Sequence, residues 1–232
     1  MSARQIRGVV FDKDGTLFDF NATWAVWMQG VLEAETRGDS ARRSALAGAL
    51  GFDLDTLRFA PTSLVIASTA REIAQAALPY VEETDVDVLL ARLNAMAAAA
   101  PQVEAAPLGP FLERLKHAGV SLGVATNDGE APARAHLAAA GVLDRFDFVA
   151  GSDSGFGGKP APGQLLAFCE AVGLDPAHCV MVGDSTHDLD AGRAAGMTCV
   201  AVLTGIAGRG DLAPFADVVL PSIADLPDWL GV

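Results

Sequence analysis

The apolar positions of this chain change period twice. From residue 6 to 11 they run almost unbroken, interrupted only by Arg7 and Gly8, as in a strand covered on both faces. From 18 to about 102 no strand-like run occurs, and apolar residues recur at helical spacing. Trp24, Trp27, Met28, Val31 and Leu32 mark one face of a helix over 21–36, with Asn21 as its N-cap. Further helices are predicted over 42–50, 68–78 and 85–100, punctuated by Pro61, Pro79 and Pro101. From about Pro107 short apolar runs alternate with helical ones. Helices are expected at 108–118, 132–140, 162–172 and 189–195, and strands at 120–125, 146–150, 180–182, 199–203 and 218–220. Such alternation predicts an α/β protein with a Rossmann-like, doubly wound parallel sheet of about six strands. The core is then discontinuous, 1–17 plus 103–232, with an all-helical insert at 18–102.

Polar chemistry gathers where the predicted strands end, which is where open α/β sheets bind ligands. The first strand runs into Asp12-Lys13-Asp14-Gly15-Thr16. Two carboxylates one residue apart repel unless a cation or a proton relieves them. A hard cation such as Mg²⁺ takes oxygen ligands and commonly accompanies phosphate. A carboxylate can also attack phosphorus, and a second one can act as general acid and then base. A calcium loop starting at Asp12 is excluded, because its sixth and twelfth positions hold Leu17 and Thr23 rather than Gly and Glu. Lys13, on a continuing strand, would point away from Asp12 and Asp14.

Three later strand ends add to this. Thr126-Asn127-Asp128 offers a hydroxyl and backbone N–H groups to a phosphate oxygen, although the same residues make an ordinary turn. Lys159 lies in the loop Gly157-Gly158-Lys159-Pro160-Ala161-Pro162, a point charge suited to phosphoryl oxygens. Gly183-Asp184 is followed by Asp188, and a helical turn would put both acids on one side. Asp190 falls elsewhere, as a solvated helix charge.

Composition narrows the class. With 16 basic and 29 acidic residues in 232, the formal charge of −13 disfavours a nucleic-acid partner. No apolar run reaches the length of a membrane span, and Met-Ser-Ala-Arg-Gln leads into the first strand without a signal-peptide core, so a soluble, cytoplasmic protein is expected. Cys169, Cys179 and Cys199 fit no metal spacing and read as buried free thiols. The four histidines are scattered, which makes a zinc site a poor reading.

Taken in order, the four motifs resemble those of the haloacid dehalogenase-like (HAD) superfamily, in its phosphatase branch. The resemblance implies that Asp12 is the nucleophile and Asp14 the general acid and base. It implies Mg²⁺ held by Asp12, the backbone carbonyl of Asp14 and Asp184, with Asp188 supporting the metal site and available to orient Lys159. Thr126, Asn127 and Lys159 would bind the phosphoryl group. Asp14 argues against true dehalogenation. The insert between the first two motifs matches the helical cap of the C1 subclass, which closes over small substrates. Within that subclass the chain looks most like bacterial phosphoglycolate phosphatases, so a small phosphorylated metabolite, with 2-phosphoglycolate first, is the expected substrate. Asn21, Trp24, Arg58, Ser63 and Arg71 are the candidates for cap specificity, an arginine being able to pair with a substrate carboxylate. A phosphosugar mutase of the same family and a non-enzymatic phospho-acceptor module are the competing readings, and the protein is expected as a monomer or homodimer.

Overall fold

Strand β1 (Gly8–Phe11) is buried at every position and forms the middle of the sheet. The computed structural model describes residues 6–66 and 68–232. The leader-free start read from residues 1–5, and position 67 within the insert, lie outside them. A hairpin of β2 (Phe52–Asp53) and β3 (Arg58–Phe59) stands apart from the main sheet. The other strands are β4 (Ser121–Ala125), β5 (Phe148–Ala150), β6 (Cys179–Gly183), β7 (Thr198–Val202) and β8 (Val218–Leu220). With β1 they form six parallel strands in the order β5-β4-β1-β6-β7-β8.

This order reverses direction at β1, the topological switch point of a doubly wound sheet. Register makes the point concrete. Phe11 lies opposite Val124 on one side and Val182 on the other, so β1, β4 and β6 end almost level. The next polar residues, Asp12, Thr126 and Asp184, therefore emerge side by side. Val9, Phe11, Val124, Val180 and Val182 are buried in one apolar cluster, which makes this edge a rigid platform.

Ten α-helices, with five short 3-10 turns between elements, complete the described chain. Four belong to the insert: α1 (Phe20–Thr36), α2 (Ser40–Ala49), α3 (Ala70–Ala77) and α4 (Val86–Ala98). Six belong to the remainder: α5 (Leu108–His117), α6 (Glu130–Ala139), α7 (Gly163–Val172), α8 (Thr186–Ala195), α9 (Arg209–Leu212) and α10 (Leu226–Leu230). The insert has its own core, in which Trp27, Met28, Leu32, Leu46, Ile73 and Leu89 pack together. Arg92 on α4 grips the buried Glu35 of α1 through two bonds of 2.9 Å, a bidentate pair that sets the angle between the helices.

Two expectations for the insert need correction. It is not all-helical, because β2 and β3 pair there. Each has two residues, too few for an alternating pattern to register, and the hairpin is held by Phe52 against Phe59, with ring centroids 4.9 Å apart. Nor does Asn21 cap α1. The helix starts at Phe20, and the carboxylate of Asp19, in extended conformation, accepts the Ala22 N–H at 2.8 Å. The first full turn of α3 does carry a signal legible in sequence: Thr69 and Glu72 form a capping box. All three cysteines are buried and unbridged.

Candidate active site

Asp12, Thr126 and Asp184 are brought together by the level strand ends, and two further residues close the group. Lys159, from the loop between β5 and α7, donates to Asp12 Oδ1 at 2.5 Å and to Asp188 Oδ1 at 2.6 Å. Asp188 sits in the first turn of α8, where its other oxygen accepts from the Ser185 N–H and hydroxyl at 3.0 and 2.8 Å. Asn127 staples the lysine loop to the end of β4. Its side chain accepts the Lys159 N–H at 2.8 Å and donates to the Lys159 carbonyl at 2.9 Å. The Thr126 hydroxyl accepts the Asp128 N–H at 3.1 Å, which leaves its own proton for another acceptor.

Three of these carboxylates crowd one point. Oxygens of Asp12, Asp184 and Asp188 lie within 4.8 Å of one another, and all three residues are buried. Burial raises the Asp12 carboxyl to about 7; Lys159 works against this, while Asp188 and Asp14 add to it. Burial, then the charges of Asp12 and Asp188, raises Asp184 well above the usual carboxylate range. For Lys159 burial works to lower the ammonium's pKa, but the flanking acids outweigh it and hold it raised. One ammonium thus faces three carboxylates, and the surplus of buried negative oxygen fits a hard divalent cation. The backbone around Asp184 is shaped to hold it. Gly15, at φ +83°, and Gly205 leave the space that its carboxylate fills; a Cβ on either would collide with it. The Thr16 hydroxyl donates to Asp184 Oδ1 at 3.3 Å.

Lys13 departs from expectation. The strand stops at Phe11, so alternation of side chains no longer applies at residue 13. The turn instead folds the Lys13 ammonium back onto Asp14, at 2.8 and 2.7 Å from its two carboxylate oxygens. Lys13 is fully buried, and its ammonium also meets Asp128 at 3.2 Å, His136 Nδ1 at 3.0 Å and the face of Trp24, 5.5 Å from the ring centroid. His136 Nε2 donates to the Ala97 carbonyl of α4 at 2.7 Å, so its Nδ1 is the acceptor for Lys13. Burial, with the charge of Lys13, lowers this imidazole to about 4 and keeps it neutral. Burial raises Asp128 to about 6 although Lys13 opposes it.

Above the strand ends lies a cleft of about 670 Å³, including its solvent-open mouth. Asp12, Asp14, Thr126, Asn127, Lys159, Asp184 and Asp188 all line it. Of the five insert residues expected to set specificity, Trp24 lines it too. Asn21, Arg58 and Arg71 do not, while Ser63 lines an adjoining cavity that shares Lys159, Asp184 and Ser185 with the cleft. Arg58 is exposed on the hairpin, and Arg71 is exposed and paired with Asp87 at 2.6 Å. The Ser63 hydroxyl donates to the Leu50 carbonyl at 2.6 Å. Asn21 lies partly buried in the first turn of α1, beside the cleft-lining Phe20. Sequence reasoning missed Phe20, Trp27, Leu93 and Asn94 as lining residues. The spacing of Phe20, Trp24 and Trp27 on one helical face was visible, but it reads equally well as ordinary core. Asp128 was visible as part of a turn; nothing in the sequence linked it or His136 to Lys13.

A family model described as a haloacid dehalogenase-like hydrolase matches residues 6–196. The chain belongs to the haloacid dehalogenase-like hydrolases. Among its relatives, a phosphoglycolate phosphatase of Rhodospirillum rubrum is 38% identical over 126 residues, covering 52% of this chain and 50% of that protein. The chain thus spans about half the length of that curated relative. A phosphoglycolate phosphatase of Xanthomonas campestris is 30% identical over 203 residues, covering 86% of this chain and 84% of that protein. The crystal structure of a HAD phosphatase from Thermococcus onnurineus superposes with a TM-score of 0.69 at 25% identity, covering 97% of this chain and 98% of that one. In this hydrolase the matched segment contains all four strand-end motifs. No helix among the described residues is long and apolar enough to cross a membrane.

Proposed function

We propose that this HAD-like hydrolase is a Mg²⁺-dependent phosphomonoesterase acting on small phosphorylated metabolites through a phosphorylated Asp12. The observation that carries this reading is the division of two neighbouring carboxylates between two buried ammonium groups. Asp12 is held by Lys159 and Asp14 by Lys13. Adjacent acids in different surroundings can take different roles, one as nucleophile and one as proton carrier.

In the first step an oxygen of Asp12 attacks phosphorus and the ester oxygen leaves, taking a proton from Asp14. In the second, Asp14 removes a proton from water as that water attacks the same phosphorus. Inorganic phosphate departs, and both carboxyl groups regain their starting states. Lys159, the Thr126 hydroxyl and the Asn127 N–H hold the phosphoryl oxygens. Asp12, the Asp14 backbone carbonyl and Asp184 are the residues suited to hold Mg²⁺; Asp188, with both oxygens already engaged, steadies Lys159. When bound, the cation supplies positive charge to the crowded carboxylates and to the phosphoryl oxygens. Segment 18–102 serves as the cap that keeps bulk water from the site.

Phosphate release from a panel of small esters, with Mg²⁺ and with EDTA, tests this. 2-Phosphoglycolate, the ester named in the relatives, belongs in that panel as the reference. Release is expected to fall by about 100-fold or more in EDTA and to return with Mg²⁺. Equal release in EDTA would remove the metal from the account. Isomerisation of a sugar phosphate without release would favour the mutase. Because Arg58 and Arg71 stand off the cleft, Arg58→Ala and Arg71→Ala are expected to change kcat/KM by no more than about twofold on any ester.

A further inference from the structure

Lys13 brings three N–H donors to a fully buried position. Three acceptors face it, each from a different element. Asp14 follows in the turn after β1, Asp128 stands in the turn after β4, and His136 stands in the last turn of α6. Two of these acceptors are carboxylates. His136 is the neutral one, so it takes a donor without adding a charge that would compete with Asp14 for the ammonium.

An acceptor fixes a donor only if it is itself fixed. The His136 ring is 1% exposed, and its far side is tied to the insert. Nε2–H donates to the Ala97 carbonyl, in the last turn of α4, at 2.7 Å. That bond sets the tautomer and leaves Nδ1 as the acceptor. α4 lies close against α6 here. At Gly129, which precedes α6, a Cβ would stand 3.2 Å from the Asn94 amide nitrogen of α4. The covalent route into the insert is narrow by comparison. Its two linkers pair with each other, Asp19 N–H to the Val103 carbonyl at 2.8 Å and Ala105 N–H to the Leu17 carbonyl at 2.9 Å. An unbroken run of contacts therefore joins the insert to Asp14. It passes from the Ala97 carbonyl through His136 to Lys13, in steps of 2.7 and 3.0 Å, and on to the Asp14 oxygens at 2.8 and 2.7 Å.

From this run of contacts we infer that His136 is a positioning residue for Asp14: anchored on the Ala97 carbonyl, it holds Lys13 and through Lys13 aims the carboxyl that carries the proton. The seat of the insert on α6 thereby sets the aim. The role goes beyond the phosphatase reading above and rests on its assignment of Asp14.

Leaving-group dependence tests it. Here kcat/KM reports the steps up to departure of the alcohol. 4-Nitrophenol is acidic enough to leave as its anion, whereas the alcohols of benzyl phosphate and 2-phosphoglycolate need the proton of Asp14. His136→Phe keeps a ring and removes both bonds. His136→Asn keeps an acceptor near the place of Nδ1 but is too short to reach Ala97. Both variants are expected to lower kcat/KM for the two alkyl esters by about tenfold or more, and for 4-nitrophenyl phosphate by no more than about threefold. An equal fall on alkyl and aryl esters, or no fall, would overturn the inference. Parental rates in His136→Asn would overturn it too, since Lys13 would then not need the tie to the insert. Nitrogen NMR of histidine-labelled protein reads the same contacts without turnover. The parent is expected to carry its ring proton on Nε2, and the Nδ1 signal to shift in Lys13→Met. A proton on Nδ1, or an Nδ1 signal indifferent to Lys13→Met, would overturn the inference. The expected ring signals in a protein that releases phosphate from none of the three esters would instead overturn the phosphatase reading and leave the hold of His136 on Lys13 and Asp14 standing.

Discussion

Phosphate release is expected to fall by on the order of 10⁴-fold or more in Asp12→Asn, with the protein still folded. The amide has nearly the shape of the carboxylate, but it is not a nucleophile toward phosphorus. Loss of rate alone would not distinguish a reacting group from a structural one; stability does. Burial holds the Asp12 carboxyl at about 7 in the fold, against 3.8 for an aspartate free in water. A raised value means that the protonated form favours folding, and this contribution is lost as pH rises through about 7. At pH 8 in the absence of metal, ionised Asp12 therefore works against the fold, crowded by Asp188 and Asp14. Asp12→Asn removes that charge, and Lys159 keeps Asp188. Its melting temperature in EDTA at pH 8 is expected to equal or exceed that of the parent. A variant that loses activity by unfolding would show the opposite.

Lys13→Met is expected to lower kcat by about 100-fold with KM changed by less than about threefold. Lys13 touches both oxygens of Asp14, so its loss frees the proton carrier to swing from its working position. It does not line the cleft, so ground-state binding is largely spared. Stability should fall as well, because Asp128 and Asp14 lose their buried counter-charge. Removing one partner of such a group costs about 3–5 kcal/mol, or about 10 °C in melting temperature for a chain of this size. The double variant Lys13→Met, Asp128→Asn separates the two effects. It should regain part of the lost melting temperature, since the buried acid is gone, and none of the lost kcat, since Asp14 is still unheld. Joint recovery of both would reduce Lys13 to a packing residue.

What the sequence made legible follows from where the information lies. Asp12, Thr126 and Asp184 could be read because each ends a buried apolar run, and parallel strands in register must end near one another. Lys159 stood out as a cation in a loop of glycine and proline. Lys13 could not be placed, because its direction depends on the strand stopping two residues earlier, and its partners Asp128 and His136 lie far along the chain. Arg58 and Arg71 stand out in the sequence by their charge, yet their positions depend on how the insert folds over the sheet, which no local pattern encodes. The same packing turned Phe20, Trp24 and Trp27 toward the cleft as well as into the insert's core. A periodic apolar face specifies burial; it does not say whether the cover is protein or substrate.

The central claim, that Asp12 accepts the phosphoryl group, is met most directly by acid-quenching the enzyme during turnover of a radiolabelled phosphomonoester with Mg²⁺ and mapping the label by peptide. Label is expected on the peptide carrying Asp12, absent from Asp12→Asn, and chased off by excess unlabelled substrate. Steady phosphate release with no label on that peptide, or turnover preserved in Asp12→Asn, would contradict it.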